Sequence, residues 1–289
     1  MTARIIDGKQ VSRKVKEEVK ARVAALAAEG RRQPCLAVIL AGDDPASAIY
    51  VRNKQKVCAF SGIQSMMKRL PADVSETELQ EVIKELNEDP AVDGILLQLP
   101  LPEALRSLEP TFLEQISPDK DVDGFHPINI GRLALGLPAP VACTPFGVMR
   151  LLEECGESLE GKLAVVIGRS HTVGKPMLQL LLQKNATVIV THSRTKDLAT
   201  LTRQADVIIA ALGKAHFVTA DMVKDGAIVI DVGINRDEDG KVTGDVDFGP
   251  VSEKAAYITT VPGGVGPMTI AMLLENTLLC YAMHEGNIE

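Results

Sequence analysis

The stretch Lys162-Leu-Ala-Val-Val-Ile-Gly-Arg-Ser-His-Thr-Val-Gly-Lys-Pro176 restricts the fold of this chain more than any other. An apolar run of strand length, Leu163 to Ile167, ends on Gly168 and passes through Arg169 and Ser170 into a segment of helical periodicity. In a strand, glycine turn and helix of this kind, the free N–H groups and positive dipole end of the helix point at the turn, where a phosphate can bind. The dinucleotide fingerprint Gly-x-Gly-x-x-Gly is met only in part, as Gly168-x-Ser170-x-x-x-Gly174. Ser170 in place of the second glycine keeps the backbone farther from a pyrophosphate, although its hydroxyl can donate a hydrogen bond. A plain βα turn accounts for the same residues equally well.

The next strand, Thr187 to Thr191, weighs toward the nucleotide. An NAD site would carry an acidic residue after it, on the adenosine ribose, and this chain has His192-Ser193-Arg194-Thr195. Without a carboxylate to repel it, a 2′-phosphate is welcome, and Ser193, Arg194 and Arg169 can contact one, so NADP is favoured over NAD. The alternative is that Ser193 and Arg194 are solvated loop residues.

Strand and helix signals alternate along the rest of the chain, which predicts an α/β protein with parallel sheets. Gly8 to Glu29, with Val11, Val15, Val19 and Val23 on one face, reads as an amphipathic helix closed by Gly30. Cys35 to Leu40 reads as a buried strand. Asp44 is an N-cap and Pro45 a first-turn residue for a helix through Lys56, on which Ser47, Tyr50 and Lys54 share a face. Gln64 to Leu70 is a weaker strand, and Ser75 to Glu78 a capping box. Gly94 to Gln98 is a short strand whose carboxyl end carries Gln98, where open α/β sheets place ligands. A helix is expected from Cys143 to Cys155 with Thr144 as its cap, further strands at Val207 to Ala210 and Ala227 to Asp231, and a mobile turn at Pro262 to Thr269 that delivers the last helix.

At 289 residues the chain fits one large or two moderate domains; the division expected is residues 1–144 with a C-terminal helix 268–289, and residues 145–267. Hydrophobic residues make up 46% and there is no Trp, as suits sheets packed by Val, Ile, Leu and Ala. A net charge of −7 argues against nucleic acid or an anionic membrane as partner. Five scattered cysteines, Cys35, Cys58, Cys143, Cys155 and Cys280, read as reduced thiols of a cytoplasmic protein, and neither they nor the five histidines show metal-ligand spacing. No signal segment is visible, and the apolar window from Met268 to Met283 is broken by Glu275 and Asn276.

Four stretches together resemble the bifunctional methylenetetrahydrofolate dehydrogenase/methenyltetrahydrofolate cyclohydrolase family. They are Ser47-Ala-Ile-Tyr-Val-Arg-Asn-Lys-Gln-Lys56, Asp93-Gly-Ile-Leu-Leu-Gln-Leu-Pro-Leu-Pro102, Pro118-Asp-Lys-Asp-Val-Asp-Gly-Phe125 and Pro262-Gly-Gly-Val-Gly-Pro-Met-Thr269. The resemblance runs from Ile5 nearly to the C-terminus. It implies a folate-binding catalytic domain and a Rossmann-like NADP-binding domain with the active cleft between them, and a homodimer. It also implies roles: Lys54 as the catalytic lysine, Tyr50 stacking on folate, Gln98 tuning the lysine and Asp123 binding the pterin. Gly168, Arg169, Ser170, Ser193 and Ile234 match the cofactor contacts. Ser47, Pro262, Gly263 and Gly264 join Tyr50 and Asp123 around the folate, and no metal is implied. Thr260 departs from the family's frequent proline before Val-Pro-Gly-Gly, a change expected to loosen that loop.

The implied chemistry suits these residue types. Hydride transfer from a methylene bridge to NADP+ leaves a cation shared by two nitrogens, so the site need only align the two reactants. Hydrolysis of the methenyl product needs proton transfer, for which a lysine partly desolvated and bonded by Gln98 is a candidate. Without the resemblance, Tyr50 and Lys54 read as surface decoration, Gln98 as a strand cap, and Asp119, Asp121 and Asp123 as a solvated turn or weak cation loop. A dehydrogenase of another small metabolite and a non-catalytic NADP sensor share the nucleotide unit, but neither needs the Tyr50–Lys54 pair.

Overall fold

The computed structural model describes residues 2–237 and 239–286. In chain order its main elements are β1 (Arg4–Ile6), α1 (Gly8–Ala28), β2 (Cys35–Ala41), α2 (Pro45–Ser61), β3 (Gln64–Leu70), α3 (Glu76–Glu88), β4 (Gly94–Leu97), α4 (Glu109–Gln115), α5 (Pro127–Leu135) and α6 (Cys143–Glu153). There follow β5 (Leu163–Ile167), α7 (Gly174–Gln183), β6 (Thr187–Thr191), α8 (Leu198–Thr202), β7 (Val207–Ala210), β8 (Ile228–Asp231), β9 (Asn235–Arg236), β10 (Val242–Thr243), α9 (Phe248–Ser252), β11 (Tyr257–Thr259) and α10 (Gly266–His284). The chain divides into two compact units, Met1–Arg13 with Ala142–Met272, and Lys14–Val141 with Leu273–Glu289.

The second of these units is built on a three-stranded parallel sheet, ordered β3-β2-β4. Every residue of β2 is buried, as expected of a central strand covered on both faces. Ile39, Leu79, Ile83, Leu86, Ile95 and Phe112 belong to its core, and burying each such side chain is worth about 1.5–3 kcal/mol. Asp44 caps α2 by accepting from Ser47 N at 2.7 Å, and Gly62, at φ +76°, ends it in the left-handed conformation. Ser75 and Glu78 form the expected capping box. Asp93, wholly buried, is gripped by Arg32 through bonds of 2.7 and 2.6 Å, by Cys35 N at 2.8 Å and by His284 Nδ1 at 3.0 Å. That knot fixes the end of α10 to the start of β2.

The other unit holds a six-stranded, all-parallel sheet ordered β1-β11-β8-β7-β5-β6. Its core includes Val165, Ile167, Ile208, Val229 and Ile258, supplied by strand runs that are buried almost throughout. β1 lies at the edge, in register Arg4 with Tyr257 and Ile6 with Thr259. The expected cap of α6 is corrected: Ala142 is the N-cap, without a side-chain bond, and Thr144 lies inside the helix. Pro145 tolerates that place because a first-turn N–H has no partner within its helix. Gly147 lets α6 approach α10, since a Cβ there would lie 2.6 Å from Met268 Cβ.

Candidate active site and cofactor cradle

In the three-stranded unit the sequence-predicted residues come from a helix, a strand end and a loop. Lys54 Nζ donates to Gln98 Oε1 at 2.9 Å, and Gln98 Nε2 donates to Leu99 O at 2.6 Å. The second bond fixes the amide so that its oxygen is the atom turned to the amine. Gln98 directly follows β4, and Lys54 is one turn after Tyr50 on α2. Tyr50 is 59% exposed, a large ring offered to solvent, whereas Ser47 is buried.

Asp123 lies within a tight turn organised by Asp121. Asp121, buried, accepts from Gly124 N at 3.0 Å, His126 N at 2.8 Å and Asn129 Nδ2 at 3.0 Å. The loop is therefore bonded internally, and Asp119 pairs with Arg132 at 3.1 Å. Asp123 keeps some exposed surface, yet loss of water around its carboxyl pushes it up to about 7. Lys54 pulls it down and Asp121 pushes it further up, so the amine and the Asp123 carboxyl act on each other electrostatically. Among the described residues no three His, Cys, Asp or Glu side chains gather as a metal site requires, and no helix is long and apolar enough to cross a membrane.

In the six-stranded unit the turn after β5 is closed to side chains. Gly168 has φ +127°, and a Cβ on it would lie 2.1 Å from Ala211 O; a Cβ on Gly174 would lie 2.1 Å from Gly168 O. Ser170 Oγ accepts from Val173 N at 3.1 Å and from Gly174 N at 3.4 Å, and its own proton remains to be donated. Arg169, Ser170 and Ser193 are exposed. A cavity of about 280 Å³ beside the turn is lined by Gly168, Arg169, Ser193, Leu212, Lys214 and Phe217. Arg194 is not among its lining residues. Lys214, which no sequence pattern flagged, is, with its ammonium 5.6 Å from the centre of the Phe217 ring. The rule that ligands sit beyond the carboxyl ends of strands applies to β7 as well as β5, and it is the signal that reaches Lys214.

A second cavity, of about 200 Å³, joins Ile234 to Pro262, Gly263 and Gly264, with Lys9 and Asp231 beside them. One residue expected for the cofactor and three expected for the folate thus share a wall. Ile234 is 72% exposed. Gly263 sits at φ +109°, and a Cβ on Gly264 would lie 2.6 Å from Thr260 O. The loop is tied rather than loosened at Thr260, whose hydroxyl donates to Pro262 O at 3.1 Å while Gly264 N donates to Thr260 O at 2.8 Å. A proline could not supply the hydroxyl bond.

A parallel sheet whose glycine turn excludes side chains and sets an exposed hydroxyl before a helix start is the arrangement of dinucleotide-binding α/β proteins. The comparison with known sequences is narrower: the chain belongs to the tetrahydrofolate dehydrogenase/cyclohydrolase family, residues 6–123 matching its catalytic domain and residues 142–285 its NAD(P)-binding domain. A bifunctional protein FolD of Polaromonas sp. (strain JS666) is 57% identical over 96% of this chain and 98% of its own, and one from Campylobacter hominis is 58% identical over 95% of each. Among solved structures, the bifunctional FolD enzyme of Campylobacter jejuni superposes with a TM-score of 0.92 at 52% identity, covering 99% of this chain and 100% of that one. The Trypanosoma brucei methylenetetrahydrofolate dehydrogenase-cyclohydrolase, solved with NADP and an inhibitor, gives 0.88 at 38% identity, covering 98% of each.

Proposed function

We propose that the protein oxidises 5,10-methylenetetrahydrofolate with NADP+ and hydrolyses the resulting 5,10-methenyl form to 10-formyltetrahydrofolate. The observation that carries the hydrolytic half is the 2.9 Å bond between Lys54 Nζ and Gln98 Oε1, with the Asp123 carboxyl in electrostatic reach. When bound, NADP+ supplies the hydride acceptor. The residues suited to hold it are Gly168, Arg169 and Ser193, which line the first cavity, Ser170, which follows Arg169 in the turn but does not line that cavity, and Ile234 of the second cavity. The steric closure at Gly168 and Gly174 fits a backbone drawn close to a pyrophosphate. Arg169 and Ser193 fit a 2′-phosphate in the place where an NAD site would carry a carboxylate.

On the folate side Tyr50 presents its exposed ring for stacking, and Asp123, once ionised, offers two oxygens to the paired N–H donors of a pterin. Ser47, on the same helix as Tyr50 and Lys54, is a further proposed contact. In hydrolysis, water adds to the methenyl carbon and loses one proton. As the bond from that carbon to the ring nitrogen breaks, the nitrogen takes up a proton and the remaining hydroxyl proton leaves, so the carbon becomes a formyl group and one proton is released overall. Lys54 Nζ is the group assigned to these proton transfers, held toward its task by Gln98. Folate chemistry is assigned to the region carrying Lys54, Gln98 and Asp123, and cofactor binding to the region carrying Gly168 and Ser193. A homodimer and a cytoplasmic location complete the proposal; the five free cysteines suit a reducing compartment.

The test uses purified protein with reduced folates. Formation of NADPH from methylenetetrahydrofolate, and decay of methenyltetrahydrofolate without added cofactor, are both expected. A preparation that binds NADP+ but has neither activity would overturn the assignment. Sedimentation of the same preparation gives the oligomeric state, and a monomer would remove the dimer.

A further inference from the structure

Two carboxylates that take no part in the chemistry above lie against each other in the six-stranded unit. Asp245 is 0% exposed and Asp231 4%. A buried carboxylate is tolerated only when hydrogen bonds replace its water, and the donors here come from the walls of both cavities. Asp245 Oδ2 accepts from Leu212 N at 2.7 Å and Gly213 N at 3.0 Å, and its Oδ1 from Lys214 N and Asn235 Nδ2, each at 2.8 Å. Asp231 Oδ1 accepts from Gly233 N and Asp245 N, and its Oδ2 from Val246 N, each at 2.9 Å. Glycines make the contact possible. A Cβ on Gly233 would lie 2.3 Å from Asp245 Cγ, and one on Gly244 would lie 1.9 Å from Asp231 Oδ2.

Leu212 and Lys214 belong to the cavity that Gly168 and Ser193 also line, whereas Gly233 and Ile234 belong to the cavity of Gly263 and Gly264. The first is where the adenosine half of a dinucleotide would lie, because it contains the residues that follow β5 and β6. The second, with Ile234, takes the nicotinamide half. We infer that Asp245, held in place by Asp231, is a positioning residue that ties the walls of these two cavities together and so sets the spacing between the two halves of bound NADP. The inference rests on the NADP reading of the site. Neither carboxylate needs to touch the cofactor. Both act through backbone N–H groups, and Asp245 also through the Asn235 amide, holding the binding surface in shape before the ligand arrives, which lowers the ordering cost of binding.

The two groups of donors to Asp245, the backbone of Leu212–Lys214 and the side chain of Asn235, predict two different losses. Asp245→Asn leaves at least one backbone donor of the Leu212–Lys214 loop without its charged acceptor. Asn235→Ala frees only the bond from Asn235, the residue that follows Ile234 of the second cavity. Calorimetric titration of the full chain with NADP+ and with adenosine 2′,5′-bisphosphate, which is the adenosine half with its 2′-phosphate, separates them. Asp245→Asn is expected to weaken both ligands about tenfold or more, the scale of a lost bond to a buried charge. Asn235→Ala is expected to weaken NADP+ several-fold and to leave the bisphosphate unchanged. The control is Asp206→Asn, a carboxylate at the amino end of the same strands that accepts from Leu163 N at 2.9 Å and Lys224 Nζ at 2.6 Å. It should change neither affinity.

Wild type that binds neither ligand sinks the NADP reading and the inference with it. Wild type that binds both, with Asp245→Asn equal to it, sinks the inference alone. Should Asp245→Asn fail to fold, Asn235→Ala still decides: unchanged NADP+ affinity, or an equal loss for both ligands, overturns the proposal.

Discussion

The two regions proposed to hold ligands are built in different ways. Around Lys54 the working atoms belong to side chains: an amine, an amide oxygen, a carboxyl and an exposed ring. Around Gly168 they belong mainly to the backbone, kept bare by glycines that no side chain can replace and held in place by buried carboxylates. The first region should therefore fail one chemical group at a time. The second should fail through shape. Each prediction below tests that division, beginning with the largest effect.

Lys54→Ala should reduce methenyl hydrolysis by about 10²-fold or more, in the range that a positioned general acid–base group supplies, with NADP+ affinity unchanged. Rates measured beside a cofactor titration check this, and a cofactor loss of similar size would erase the contrast. Gly168→Ala should behave in the opposite way. With φ +127° and a carbonyl oxygen 2.1 Å from the new Cβ, the backbone has to move, costing about 1–3 kcal/mol of stability and most of the NADP+ affinity. Thermal melting and calorimetry are the readouts, with methenyl hydrolysis expected to survive.

Asp123 sharpens the comparison through pH. Its carboxyl is raised to about 7, so the folded protein holds a proton there that the unfolded chain has already lost near pH 4. The stability contributed by that proton is complete at low pH and declines as pH rises toward 7. Folate binding through the ionised form has the opposite sign: affinity should rise with pH up to about 7 and then level off. Asp123→Asn should bind folate more weakly and without that rise, while NADP+ titrations of wild type and variant stay parallel. The smallest effect is expected of Arg169→Ala, a side-chain change within the backbone-built region. It should lower the preference for NADP+ over NAD+ several-fold, consistent with one solvent-exposed ionic contact. An unchanged ratio of kcat/KM values would remove Arg169 from 2′-phosphate recognition.

Local structure was the most legible in the sequence, because its causes lie within a few residues. The Asp44 cap with Pro45 behind it, the Ser75–Glu78 box and the strand–glycine–helix passage at Gly168 all form as their spacing predicts. Thr144 shows the limit of such reasoning, since a good capping residue followed by proline is the second residue of a helix that begins without a side-chain cap. The meeting of Lys54 with Gln98 was not visible from spacing; it depends on β4 lying beside β2, and only the family resemblance pointed to it. Lys214 and Asp245 were missed for a related reason. Each lies in a polar, glycine-containing stretch that reads as an ordinary exposed turn, and only the three-dimensional convergence of those turns buries Asp245.

The pairing of β1 with β11 has a consequence for how the protein is made. Arg4, Ile5 and Ile6 are synthesised before every other strand of the large sheet, yet the strand they pair with, Tyr257–Thr259, comes after all the others. Until then the nascent chain carries an incomplete large sheet. A gene fragment started at residue 142 would never complete it, and its product would display the open edge of β11, a surface on which extended chains pair and aggregate.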